Sequence, residues 1–189
     1  MEKVNKICSH PVWKSSVEKI QELERQRIFC RHNTEHYLDV ARIAYIENLE
    51  QNLHLSKEWI YAAAMLHDIG RHLQYLEGIP HHEGSAMIAE LILKDCGFEL
   101  EAQEEILSAI LQHRTSETGL QNTLAGLIYR ADKKSRVCLF CPACKECDWS
   151  MEKKNWRTLR YPYRRRRLHA GGTGTKADAG PHRPRGRAG

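Results

Sequence analysis

The chain has 189 residues, 41% of them hydrophobic and 28% charged, which suits one domain with its own core plus an appendage. No apolar stretch reaches the roughly 18 residues of a membrane-spanning helix, which excludes a membrane partner. The net charge of +5 is uneven: residues 157–189 hold ten Lys/Arg and one Asp, leaving a net −4 on residues 1–156 against the whole-chain +5, so the body is not a general nucleic-acid surface.

The opening segment MEKVNKICSHPVWK has no apolar signal-peptide core, and a cytoplasmic location is expected. Seven Cys without an export signal argue for free thiols or metal ligands rather than a disulfide scaffold. Residues 1–24 are assigned as an N-terminal helix region, and helical periodicity predicts a first helix over 15–28. Further helices are predicted over 34–50, 56–68, 82–96, 99–113 and 121–138. Ser56 suits the N-cap of KEWIYAAAML, and Gly97 suits the residue that ends AMIAELILKDC. QYLEGIP at 74–80 reads as a loop. No useful strand alternation and no internal repeat occur, so the fold class is all-α: a helical bundle over 25–137, a Cys-rich segment over 138–155 and a tail from 156 to 189. That tail, rich in Arg, Gly and Pro, has too few aliphatic residues to offset the entropy of ordering and is expected to be disordered. It reads as an incidental extension, with an Arg-rich nucleic-acid arm as the alternative.

Polar residues fall on the apolar faces of four helices. His67 completes the pattern of Ile60, Ala63 and Ala64; His36 leads Val40 and Ile43; His113 follows Ile106, Ala109 and Ile110; Asp132 follows Ala125, Ile128 and Tyr129. Burying one such group unpaired costs several kcal/mol, and a metal ion satisfies several at once. Imidazole and carboxylate ligands suit Fe, Mn, Co, Ni or Zn. Asp68 adjoins His67 at the helix end, where Gly70 is expected to supply a bend.

HYLDVA at 36–41, LHDIG at 66–70 and ADKKSR at 131–136 together give an ordered His…His-Asp…Asp pattern. In this the chain resembles the HD-domain superfamily of metal-dependent phosphohydrolases, over roughly residues 25–140. The resemblance implies His36, His67, Asp68 and Asp132 as metal ligands. HHEGSA at 81–86 looks like the helix start that carries a fifth ligand in dinuclear members, which selects His81, with His82 as the alternative. AILQHRT at 109–115 looks like the segment of a sixth, His113. The set of six is similar to the di-iron branch, notably bacterial diadenosine tetraphosphate hydrolases. RTSETG after His113 departs from the GYP segment of the cyclic-di-GMP phosphodiesterases. In dinuclear members Asp68 would bridge the metals, and a bridging water, acidified toward pH 7, would become the hydroxide nucleophile. Arg71, as a catalytic cation, and Arg114, Lys133, Lys134 and Arg136 are placed to hold phosphate oxygens. His10, His32, His54 and His72 have no matched position; His32, one turn before His36, is a neighbour of the site rather than a ligand.

CLFCPACKEC follows directly, with Cys138, Cys141, Cys144 and Cys147 in three successive C-x2-C spacings. Four thiolates suit a structural Zn²⁺ or an iron–sulfur cluster. Pro142 lies inside the run, whereas a ferredoxin-like run ends in Pro, which favours zinc. The expected function is hydrolysis of a nucleotide or another small phosphoester with one or two divalent ions. The alternative is a non-catalytic metal-binding module.

Overall fold

The computed structural model describes residues 1–156. Eight α-helices carry the fold: α1 (Glu2–Ser9), α2 (Pro11–Leu23), α3 (Thr34–Gln51), α4 (Lys57–Leu66), α5 (Arg71–Glu77), α6 (His81–Asp95), α7 (Leu100–Gln112) and α8 (Leu124–Lys134). Short 3₁₀ turns follow at Ser116–Leu120 and Cys138–Phe140, and no strand occurs among the described residues. The tail expected from 156 onward lies, but for Trp156, outside the described residues.

Helix α4 is the centre of the bundle, with Ile60, Ala62, Ala63, Ala64 and Leu66 all fully buried. A run of alanines lets neighbours approach on several sides, and α4 packs against α1, α3, α7 and α8. Helix α3 packs on α8, α6 on α7, and α7 on α8. The caps follow local chemistry. Ser56 Oγ accepts from Trp59 N at 3.5 Å and Asn33 Oδ1 from His36 N at 3.1 Å. Gly97, at φ +75°, ends α6 with Phe98 N donating to Leu93 O and Gly97 N to Lys94 O, a Schellman arrangement.

The expected helix over 15–28 is replaced by α1 and α2, because Pro11 starts a new helix with His10 as its N-cap. Residues 24–33 form a loop. The expected 56–68 helix stops at Leu66, and QYLEGIP lies partly in α5 rather than wholly in a loop. The last α-helix ends at Lys134 rather than 138, so Cys138 lies outside it and opens the second 3₁₀ turn.

Gly70 stands in the turn between α4 and α5 at φ −87°, a conformation open to any residue. Its role is close approach: a Cβ there would lie 2.1 Å from Ser85 N and 2.3 Å from Gly84 C. Its own N–H donates to Ser85 Oγ at 2.9 Å. This contact fixes the α4–α5 corner on the first turns of α6.

Candidate metal centre

The polar residues read from the sequence stand at helix ends that converge on one point. His36 is in the first turn of α3, His81 in the first turn of α6, and Asp132 in the last turn of α8. His67 and His113 each occupy the position just past the end of their helix, and Asp68 follows His67. All six are buried.

Each imidazole is anchored by one nitrogen and points the other inward. His67 Nδ1 meets Ala64 O at 2.8 Å and His113 Nδ1 meets Ile110 O at 2.6 Å, both carbonyls freed by the helix end. His81 Nδ1 meets Gln74 Oε1 at 2.7 Å and His36 Nδ1 meets Ser135 Oγ at 3.1 Å. Such outer contacts fix ring orientation, and a carbonyl or amide oxygen there also fixes the tautomer that leaves Nε2 free as a ligand.

The inward atoms form two groups. His36, His67, Asp68 and Asp132 offer ligand atoms within 4.8 Å of one another, as do Asp68, His81 and His113. Asp68 belongs to both, and its oxygens divide between them. Oδ2 lies 3.3 Å from His67 Nε2 and 3.9 Å from His36 Nε2. Oδ1 lies 3.4 Å from His81 Nε2 and 3.8 Å from His113 Nε2. Asp132 Oδ1 completes the first group at 3.5 Å from His36 Nε2.

Two of these buried atoms, His67 Nε2 and Asp68 Oδ1, have no hydrogen-bond partner. Such isolation of polar groups in a core costs about 1–3 kcal/mol each. A divalent cation removes that cost, and two nitrogens with one or two carboxylates suit Fe, Mn, Co, Ni or Zn in each group.

Electrostatics favour the same occupants. Burial depresses His36 to about 3, with the charge of Arg136 adding to it. Burial depresses His81 to about 2, with Arg71 acting the same way. Both rings are therefore neutral; the inward nitrogen of His81 carries a free lone pair, whereas that of His36 faces the Arg136 Nη2 donor at 3.0 Å, which a bound cation would displace. Burial opposes ionisation of Asp68, but Arg71, His67 and His32 outweigh it and hold the carboxyl well below its usual range. Asp132 is likewise held low against burial, by Lys133 and Arg136. Burial lowers His67, but the charge of Asp68 outweighs it and raises the ring above its ordinary value. Metal binding there displaces a proton.

The neighbouring cations divide. Arg71 Nε is 3.2 Å from Asp68 Oδ1 without hydrogen-bond geometry, and Lys133 pairs with Asp132. Arg136 is buried, its Nη2 3.0 Å from His36 Nε2 and 3.4 Å from Asp132 Oδ1. Arg114 is exposed beside His113. Lys134 departs from the expectation of a phosphate contact: it pairs with Glu47 of α3, as does Arg130. His82 is turned out, with its Nε2 3.9 Å from Glu83 Oε1. The four cysteines of the run have no part in either group.

One member was only half legible. His32 is buried, its Nε2 is 3.6 Å from Asp68 Oδ2, and its Nδ1 is 2.6 Å from Glu24 Oε1. Glu24 Oε1 also accepts from Tyr75 Oη at 2.6 Å. The one-turn spacing to His36 pointed to His32 as a neighbour, but nothing local marked Glu24. His10 and His72 serve the scaffold, His10 accepting from Val12 N and His72 meeting Ile69 O. His54 sits at a left-handed turn, φ 58°.

A model of the HD domain matches residues 33–137. An uncharacterized protein of Clostridium beijerinckii is 42% identical over 157 residues, covering 83% of this chain and 98% of that protein. No solved structure matches. Among the described residues, no helix is long and apolar enough to cross a membrane. With the domain model spanning more than half of its length and the relative aligned almost end to end, the chain belongs to the HD domain family, whose members are generally metal-dependent hydrolases.

Proposed function

We propose that this chain is a dinuclear metal-dependent phosphohydrolase acting on a small phosphorylated substrate, a nucleotide before other phosphoesters. The observation that carries the reading is the division of Asp68: one oxygen faces His36 and His67, the other His81 and His113. A carboxylate placed this way would be shared by two ions, with His36 and His67 completing one side and His81 and His113 the other. Bound divalent ions supply Lewis acidity there, acidifying water toward neutral pH and offsetting phosphate charge.

The chain's own residues do the rest. Asp132 closes the first group, and the second has only three protein ligands, His81, His113 and the shared Asp68, which would leave room for a substrate oxygen on a bound ion. Arg71, half-buried beside Asp68, and exposed Arg114 are the cations placed to orient a phosphate. Lys133 and Arg136 hold Asp132 ionised. The His32–Glu24 pair sits on the Asp68 Oδ2 side and orients the neighbouring ring. The catalytic unit proposed is residues 25–137, with the Cys-rich segment 138–155 attached behind it.

A panel of phosphoesters tests the reading: nucleoside monophosphates, dinucleoside polyphosphates, cyclic dinucleotides and p-nitrophenyl phosphate, each with Mn²⁺ and with Fe²⁺. Metal-dependent release of phosphate or nucleotide from at least one substrate is expected. Inactivity on all of them with both metals, in protein carrying two ions per chain, would remove the proposal.

A further inference from the structure

Five of the seven cysteines meet in one place, and the metal centre uses none of them. Cys30, in the loop between α2 and α3, joins Cys138, Cys141, Cys144 and Cys147 around a cavity of about 20 Å³. Phe29 and Trp149 complete an apolar wall. All five are free thiols. The run curls around this cavity because α8 stops at Lys134 and a chain of turns follows.

The arrangement is fastened from both sides. Lys154 Nζ donates to the carbonyls of Cys144 and Cys147 at 3.0 and 3.1 Å. Asn155 Nδ2 donates to the carbonyls of Lys134 and Arg136 at 2.7 and 2.9 Å. Arg136 Nη1 donates to Arg31 O at 3.0 Å, and Arg27 Nε donates to Cys30 O at 3.0 Å, which holds the loop of Cys30 against the run.

The spacing of the sulfurs discriminates between occupants. Tetrahedral zinc, with Zn–S near 2.3 Å, draws its four sulfurs to about 3.8 Å from one another. Among the described residues, no three cysteine sulfurs lie within 4.8 Å of one another, although the His and Asp atoms of the metal centre meet that limit. The thiols surround a core instead of closing on a point. An iron–sulfur cube requires this form, because each thiolate binds a different iron and the cube keeps the four apart. A run of C-x2-C spacings supplies three ligands to one such cluster and takes its fourth from a distant part of the chain. Cys30 is that distant cysteine. Burial pushes its thiol up, the charge of Arg136 opposes this, and Cys138, Cys141 and Cys147 raise it further. Arg136 and Lys154 place positive charge beside the cage, suited to an anionic cluster.

We propose that Cys30 and three of the four cysteines of the run hold a [4Fe–4S] cluster, with one thiol of the run left over. Geometry thus reverses the preference for zinc that Pro142 suggested, and it adds a ligand from outside the run. The cluster would staple the loop that carries Glu24 and His32 to the segment following Asp132.

The full chain, prepared without oxygen and reconstituted with equal amounts of ferrous and ferric iron and with sulfide, provides the test. Acid-labile sulfide and iron are expected in equal amounts, about four each per chain beyond the iron of the metal centre, with a broad visible absorbance that bleaches on reduction. Since His and Asp ligands hold no sulfide, labile sulfide reports on the cage alone and is unaffected if the phosphohydrolase reading fails. Cys30→Ser should lose it. Circular dichroism checks folding, and the double variant Cys138→Ser with Cys141→Ser, which leaves only three of the five thiols, gives a second reading should Cys30→Ser unfold. Tightly held zinc with no labile sulfide would overturn the proposal, as would full sulfide in Cys30→Ser.

Discussion

Replacing Gly70 by Ala separates the packing role of this residue from any chemical one. The added Cβ would stand 2.1 Å from Ser85 N and 2.3 Å from Gly84 C. Both are backbone atoms, so no side chain can swing aside. Reaching ordinary contact at 3.4 Å requires α6 and the corner to separate by about 1.3 Å. Overpacking of this kind costs typically 1–3 kcal/mol, and a backbone clash belongs at the upper end, about 3 kcal/mol. For a domain of this size that lowers Tm by roughly 6–12 °C. The same displacement carries His81, four residues before Ser85, away from Asp68. Binding of a second metal should therefore weaken more than binding of the first. Thermal melts of the metal-free protein, paired with metal titrations, measure both effects. A Tm within about 1 °C of the parent, or equal loss at both metals, would refute the reasoning. Ser85→Ala, which removes only the hydrogen bond to Gly70 N, should cost about 1 kcal/mol and leave both metals bound.

Asp68→Ala should abolish phosphoester hydrolysis and bring metal content to one ion or fewer per chain; near-parental turnover would contradict the bridging role. His81→Ala should lose one metal of two, while His82→Ala should keep both, because His82 is turned toward Glu83; elemental analysis of each variant decides. Metal-free stability should fall as pH drops below about 6.5. His32, His36 and His81 sit folded at about 4, 3 and 2 because burial disfavours their charge. The unfolded chain then takes up protons first, so stability is full above the ordinary histidine range and is lost toward the folded values. A Tm that is flat or rises between pH 6.5 and 4.5 would contradict neutral buried rings.

The parts of the centre legible in the sequence were those written in local periodicity. His36, His67, His113 and Asp132 each sit on an apolar face or at its end, and the buried centre gathers all four. His81 came from family resemblance, and its position at the start of α6 also separates it from outward-turned His82. What escaped depends on partners far along the chain. Glu24 acquires meaning only through His32 and Tyr75, and Cys30 only through a run more than a hundred residues later. Lys134 read as a phosphate ligand because Glu47, which claims it, lies on another helix. The break after Leu66 was hidden because His67, Asp68 and Ile69 stay buried and continue the inward pattern without continuing the helix. Gly70 was noticed, but its reason is a close approach to α6 that no local pattern records.

The central claim is that Asp68 joins two metal ions. Anomalous scattering from crystals of the protein grown with Mn²⁺ tests it most directly. Two manganese peaks are predicted, one among His36, His67, Asp68 and Asp132, the other among Asp68, His81 and His113, each bound by a different oxygen of Asp68. A single peak with Asp68 bound through one oxygen, at full metal occupancy, would contradict the account.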